Sequence, residues 1–502
     1  MRRRASLTLL VMTCAGCVMV GPDYKAPEVS MPERFSETGV QAPEGQLNLD
    51  RWWSSFNDPL LEQLISDTVK GNKDLQSAIA RVNQSRALYN QTFLDLFPTI
   101  TADGQYTNTH IPTSTFAGGA IKTGKNHIDN DYFSTGFDAV WEIDIFGRVR
   151  RGVEARDAEV DASVAGLQDA IRILVSEVAR NYFQLRGVQQ QILVARENAR
   201  IQGQVVKVAE ALFKGGQSTE FDVVRSRAQE YNTLATVPSL EADAKTAIYR
   251  LAVLTGKRPV DLVPQLEPSA PLPSYDGPMS LGDPGALLQR RPDIRAAERS
   301  LAAATASIGV VEGDLFPKVT FNGSISLQAP SVPELTSGSN DAWSLIPTIS
   351  WPALNLGRVL ARMDQAEAAT AEALARYEQS VLIALEETEG SLARFAAARQ
   401  RRDYLKVSVE QSGKALAIAR TQYENGLVDL LPVLDAQRTA LLSQLELVGS
   451  ETSLLTSLVQ LCKALGGGWD NAIGTNEMIE SIDDTGGVPP VTNVSISPAP
   501  QS

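Results

Sequence analysis

Residues 357–435 read GRVLARMDQAEAATAEALARYEQSVLIALEETEGSLARFAAARQRRDYLKVSVEQSGKALAIARTQYENGLVDLLPVLD, and this stretch decides the fold. No proline falls between Pro352 and Pro432, so about 65 residues can form one unbroken helix, roughly 100 Å long at ~1.5 Å per residue. Within it Val381, Thr388, Phe395, Arg402, Val409, Leu416 and Tyr423 recur every seven residues, and Ala384, Ser391, Ala398, Leu405, Ser412 and Ala419 form a second row. A large row against a small one is a coiled-coil seam that lets neighbouring helices approach closely. The rod is expected to turn at Tyr423-Glu424-Asn425-Gly426 and to restart at Asp429-Leu430-Leu431-Pro432.

The same stretch occurs 210 residues earlier, with Ile171, Val178, Leu185, Ile192, Ala199, Val206 and Phe213 in one row and Leu174, Asn181, Val188, Ala195, Gln202 and Ala209 in the other. Trp141 to Gly147-Arg148 matches Trp351 to Gly357-Arg358, and Leu251-to-Gly256 matches Leu461-to-Gly466. Upstream the offset becomes 219, with Asp95-Leu96-Phe97-Pro98 against Asp314-Leu315-Phe316-Pro317 and Asp74 against Asp293. The chain is therefore a tandem duplication, one elongated body from two similar halves.

The 502 residues carry a net charge of −13, or −16 without Arg2, Arg3 and Arg4, which argues against nucleic-acid binding. No apolar run reaches the ~18 residues of a membrane helix, so membrane contact must come from strands or an anchor. The start has the form of an export signal: Arg2-Arg3-Arg4, an apolar core from Leu7 to Met12, then Cys14-Ala15-Gly16-Cys17. It resembles a bacterial lipoprotein leader with Ala15-Gly16-Cys17 as the cleavage and lipidation box, although Cys14 stands where that box usually has leucine. With Cys17 carrying lipid, only Cys462 remains and no disulfide can form within one mature chain.

Residues 1–16 are thus the expected signal peptide and 17–58 a lipid-anchored, proline-bearing tether. The first repeat spans 59–256, beginning with a helix from about Leu60 to Phe93 capped by Asp58. A proline-rich crossover covers 257–283, the second repeat 284–468, and a disordered tail 469–502. Period-two alternation predicts strands at about 99–109, 132–144, 319–328 and 343–351. Their length suits a tilted bilayer crossing, and Asp103, Asp138, Glu142 and Asp144 fall on the polar face. His110 and His127 are expected in the exposed loop of the first hairpin, with no metal site and no cofactor other than covalent lipid.

Four strands are too few to close a barrel, and open edges cannot face lipid, so several copies must share one. Two copies would give eight strands with a filled interior. Three would give twelve, around a water-filled lumen lined by Asp103, Asp138, Glu142 and Asp144.

The chain resembles the outer membrane factor family, the TolC-like exit ducts of tripartite efflux systems, in its NodT-like lipoprotein branch. The resemblance rests on Cys17, Val20-Gly21-Pro22-Asp23-Tyr24, Trp52-Trp53 with Phe56 and Asp58-Pro59, Arg291-Pro292-Asp293-Ile294, Leu315-Phe316-Pro317, Tyr423 with Gly426, Leu434-Asp435-Ala436-Gln437-Arg438, and Ala464-Leu465-Gly466-Gly467-Gly468-Trp469. It implies an α+β membrane protein. Each tandem-duplicated protomer would give four strands to a shared trimeric twelve-stranded β-barrel, continued by a long periplasmic α-helical coiled-coil barrel.

The implied location is the Gram-negative outer membrane, and the implied partners are a periplasmic adaptor and an inner-membrane pump. The resemblance places a periplasmic gate at Asp435, with an apolar constriction at Leu431. Asp222 and Arg438 are candidates for contacts that hold neighbouring helices closed, and Pro432 stands where some relatives have a second aspartate.

The same fold could instead serve metal-ion or protein secretion. A lipid-anchored coiled-coil scaffold would not explain the strands. An enzyme is disfavoured, since the sequence has no metal-spaced His/Cys cluster, no phosphate-binding glycine loop and no histidine outside one hairpin.

Overall fold

A computed structural model describes residues 19–36, 48–112, 127–275, 284–337 and 340–470. The expected signal peptide and Cys17 lie outside them, as does the expected tail beyond Asp470. The elements in chain order are α1 (Pro59–Gly71), α2 (Lys73–Leu94), β1 (Thr99–Pro112), β2 (His127–Ile143), α3 (Arg148–Lys214), α4 (Glu220–Leu234), α5 (Val237–Leu254) and α6 (Pro259–Leu266). They continue as α7 (Ala286–Arg290), α8 (Pro292–Gly313), β3 (Lys318–Ala329), β4 (Asp341–Ser350), α9 (Leu356–Glu424) and α10 (Leu430–Ala464). The rods α3 and α9 are 67 and 69 residues long.

The chain divides into two compact units, one of Met1–Pro27, Gln84–Ala162 and Ala297–Tyr377, the other of Glu28–Asn83, Ser163–Ala296 and Glu378–Ser502.

The first unit holds one antiparallel sheet in the order β1-β2-β3-β4. Its strands exceed the expected lengths at the hairpin end of β1 and β2, so His110 and His127 sit on strands, not in a loop. Register puts Ile100, Tyr106, Phe137, Trp141, Ile325, Leu345 and Ile349 on one face, all exposed. Thr101, Asp103, Asp138, Asn322, Ser324 and Thr348 share the other. The repeat is visible in its contacts: Trp141 Nε1 donates to Leu96 O at 3.0 Å and Trp351 Nε1 to Leu315 O at 2.9 Å.

In the same unit the chain from Met19 to Tyr24 is tied down. Val20 N donates to Phe146 O, and the buried Arg151 donates to Val20 O, Gly21 O and Asp23 Oδ1. Gly21 has φ +88°, and a Cβ there would come within 2.4 Å of Gly309 Cα, so only glycine fits.

The second unit is helical. The coiled-coil rows point inward from Val381 to Tyr423 and from Ile171 to Ala209, while Phe213 is 45 % exposed at the end of its row. Trp52, Trp53 and Phe56 form a short 3-10 turn buried in this core, so the expected tether ends in core residues. Trp469, expected in the tail, is likewise anchored, with Nε1 donating to Arg290 O at 2.9 Å.

The helix expected over 60–93 breaks at Asn72. Its Oδ1 accepts from Leu75 N to start α2, and its Nδ2 reaches Leu254 O at the end of α5, a use of the side chain that outbids helical continuity. The proline-rich crossover contains α6, whose Leu262 and Leu266 are buried.

Arg291 and Arg172 close the end of α10: Arg291 Nη1 donates to Ala464 O and Arg172 Nη1 to Lys463 O. Arg291 also pairs with Asp293 at 2.5 Å and Glu387 at 2.8 Å. Burial pushes the Asp293 carboxyl up, but Arg291 and Arg172 outweigh it and hold its pKa below the ordinary value.

Arg291→Ala is expected to cost about 2 kcal/mol, less than for a fully buried pair because Asp293 and Glu387 keep some water. Circular-dichroism melting of the solubilised protein reads this. Since Asp293 is depressed in the folded state, its stabilisation is present above the unfolded value and lost as pH falls through the folded one. The melting difference between wild type and Asp293→Asn should therefore hold from about pH 7 to about pH 5 and shrink below about pH 4.

Candidate functional site: helix turns and strand carboxylates

Both rods of the helical unit end in the same cap. Gly216 has φ +72° and Gly426 φ +71°, a region that side-chain-bearing residues avoid. Gln217 N donates to Leu212 O at 2.8 Å and Leu427 N to Gln422 O at 2.9 Å, the six-to-one bond of a Schellman turn.

After the first turn Thr219 and Asp222 form a complete capping box. Thr219 Oγ1 accepts from Asp222 N, and Asp222 Oδ2 accepts from Thr219 N, with further bonds from the hydroxyls of Thr219 and Ser218. Burial pushes the Asp222 carboxyl up, and these bonds with Arg225 nearby outweigh it, so its pKa lies below the usual value. Asp222 is thus spent on its own turn. Asp429 occupies the cap position of α10, but its side chain makes no cap bond.

Restart of the chain at α10 sorts its residues by face. Leu430, Val433 and Leu434 are buried with Val205 of α3 and Tyr423 of α9, against Val208, Leu212 and Ala419. Leu431, Asp435 and Arg438 lie on the opposite face, together with Leu442. Leu431 is 53 % exposed, and Arg438 Nη2 donates to Asp435 Oδ1 at 2.9 Å, both side chains well in water. Such an exposed pair is worth ~0.3–0.5 kcal/mol, so it leaves Asp435 free to exchange partners.

The structure therefore brings Leu431, Asp435 and Arg438 onto one stripe and leaves Asp222 in a cap. Sequence reading missed the pseudo-equivalent stripe of the first repeat, Phe221 and Arg225, which the 210-residue offset from Leu431 and Asp435 would have found. Phe221 is 68 % exposed, and the Arg225 guanidinium lies 5.8 Å from its ring centroid.

In the sheet unit Asp103 and Asp138 stand diagonally on the polar face. The other two carboxylates are engaged at the strand end. Arg148 forks Glu142 with bonds of 2.9 and 2.7 Å. Asp144 lies one residue past β2 and accepts from Arg150 N and Nε, so it caps α3 and does not stand on the strand face.

The description "Outer membrane efflux protein" matches residues 64–257 and again 284–467. This chain belongs to that family. It is 29 % identical over 456 residues to "Nodulation protein T" of Rhizobium leguminosarum bv. trifolii, covering 91 % of this chain and 95 % of the relative. It is 31 % identical over 477 residues to "Solvent efflux pump outer membrane protein SrpC" of Pseudomonas putida, covering 91 % and 97 %.

Among solved structures it is similar to the outer-membrane channel OprN, with a TM-score of 0.83 at 36 % identity over 90 % of this chain and 99 % of that one. The Campylobacter jejuni CmeC outer membrane channel has the same fold, with a TM-score of 0.83 at 20 % identity and coverage of 93 % and 98 %. The family match falls once on each repeat, so the duplicated architecture is that of the outer membrane efflux channels.

Thr219→Ala should loosen the first turn by about 1 kcal/mol, since it removes one side of the capping box. Amide exchange at Glu220 to Val223 is expected to speed up severalfold while the core amides around Ile171 stay protected.

Proposed function

We propose that three copies of this chain form a passive exit duct for small toxic molecules, carrying them from the periplasm to the exterior once an adaptor and an inner-membrane pump open it. The observation that carries this reading is the four-stranded sheet with one exposed apolar face, one polar face and, among the described residues, two edges with no strand paired to them. Hydrocarbon tolerates no such edge, and three sheets give the twelve strands that leave a lumen. Relatives named as antibiotic and solvent efflux pump components support the cargo class.

In this reading Asp103 and Asp138 carry the negative charge of the lumen, because Glu142 and Asp144 are neutralised by Arg148 and Arg150. Cys17 bears the lipid that accompanies the barrel in the outer membrane. Mass spectrometry of the mature protein should find an acylated N-terminal Cys17, and an unmodified start elsewhere would remove the anchor.

The stripe Leu431, Asp435 and Arg438 would be the closing surface at the periplasmic end. Three Asp435 carboxylates brought to one axis repel one another and draw in cations, and the adjacent Arg438 moderates both effects. Arg225, at the position that corresponds to Asp435 in the first repeat, adds a positive charge at the same end of the helices. Opening would swing α10 with its neighbours as a unit, since Leu430, Val433 and Leu434 are packed on Val205 and Tyr423.

Asp435→Asn is expected to lower cation-over-anion permeability on the order of a few-fold. Leu431→Ala should raise resting conductance. Single-channel recordings in which both variants match wild type would take the gate away from this stripe.

A further inference from the structure

The two histidines of the chain are 17 residues apart in sequence, and the fold stacks them. His110 on β1 and His127 on β2 have ring centroids 4.3 Å apart with 14° between their planes. They are diagonal neighbours on one face of the sheet, since His110 pairs with Asp129 and His127 with Pro112. Asp129 takes the Nδ1 of His110. In the neutral ring, a carboxylate accepting at Nδ1 leaves the Nε2 lone pair available to an ion. This is the carboxylate–histidine arrangement that orients and strengthens an imidazole ligand.

We propose that His110 and His127 form a site for a divalent first-row transition ion, with Asp129 as the residue that positions His110. The donors are two neutral imidazole nitrogens, a set that suits Cu2+, Ni2+ and Zn2+ and is poor for Mg2+ or Ca2+. Water completes the coordination. Among the described residues no group of three or more histidine, cysteine or carboxylate side chains comes together around an ion, so the site takes two protein ligands and no more.

Its place gives it a consequence. The apolar run of the face ends at the Tyr106–Phe133 pair, whose rings are 4.6 Å apart. Beyond it Asn108 and Tyr106 bond Asp131, and His110 follows about 13 Å along the strand from Tyr106 and His127 about 20 Å, at ~3.3 Å per residue. The near-parallel ring planes do not aim both lone pairs at one point, so binding turns the exposed His127 ring out of the stack, a side-chain rotation that leaves the sheet unchanged. A bound ion would cross-link β1 to β2 at the last pairs of their ladder, fixing the hairpin at the end remote from α2 and α3.

The test uses the full-length channel, purified in detergent without a histidine tag and titrated with Cu2+, Ni2+ and Zn2+ by calorimetry. One ion per protomer is expected at micromolar concentration, with Cu2+ held tightest. Electron paramagnetic resonance of the copper form should report two nitrogen ligands. His110→Gln or His127→Gln should reduce the count to one and weaken binding by more than about tenfold, and both positions are exposed enough for the variants to fold. Asp129→Ala should weaken binding by about 10- to 100-fold in the wild-type background. It should add no further loss to His110→Gln, which a merely structural role of Asp129 would do. Copper binding that is unchanged in both histidine variants, or absent from wild type at millimolar ion, would overturn the site.

Discussion

The unpaired edges of β1 and β4 are the constraint on which the rest depends. Among the described residues each outer strand has no strand paired on its outer side, while the apolar face between them is exposed. Neither feature is tolerable alone: water opposes the exposed face, and hydrocarbon opposes the open edge. A protomer of an outer membrane efflux channel is thus an incomplete object by design, and its strand pattern makes sense only as a share of a larger closed sheet. The tryptophans of the two repeats fit the same requirement. Trp141 and Trp351 keep their rings partly exposed while each N–H is satisfied by a carbonyl of the preceding helix-to-strand turn.

Charge in the chain is used more for fastening than for chemistry. Arg151, Arg172 and Arg291 are almost fully buried, and each donates to backbone carbonyls as well as to carboxylates. The guanidinium fork suits this role, since one side chain can close a helix end and hold an acidic neighbour together. The same economy removes Glu142 and Asp144 from the pool of free acids on the sheet. On the polar face of the sheet Asp103 and Asp138 remain exposed.

Much of the fold was legible because its signals are local. Heptad rows, proline-free runs, period-two alternation and glycines at positive φ all act within a few residues, and duplication stated each twice. The turns at Gly216 and Gly426 needed only the backbone freedom of glycine and the bonds of the preceding helical turn. The breaks were less visible. Asn72 ends one helix and starts another because its amide also meets the carbonyl of Leu254, a residue 182 positions away.

The sequence by itself determined the repeat, the rods, the strands and the faces that each presents, since periodicity fixes which side chains share a surface. Only the tertiary structure decided which of those side chains have partners. It spent Asp222 on a cap, forked Glu142 to Arg148, and set Asp435 beside Arg438 on an exposed stripe opposite a buried one. It also carried two histidines out of an expected loop and stacked them across neighbouring strands. Such pairings depend on strand register and helix rotation, which the packing of the whole chain sets, so no window of sequence contains them.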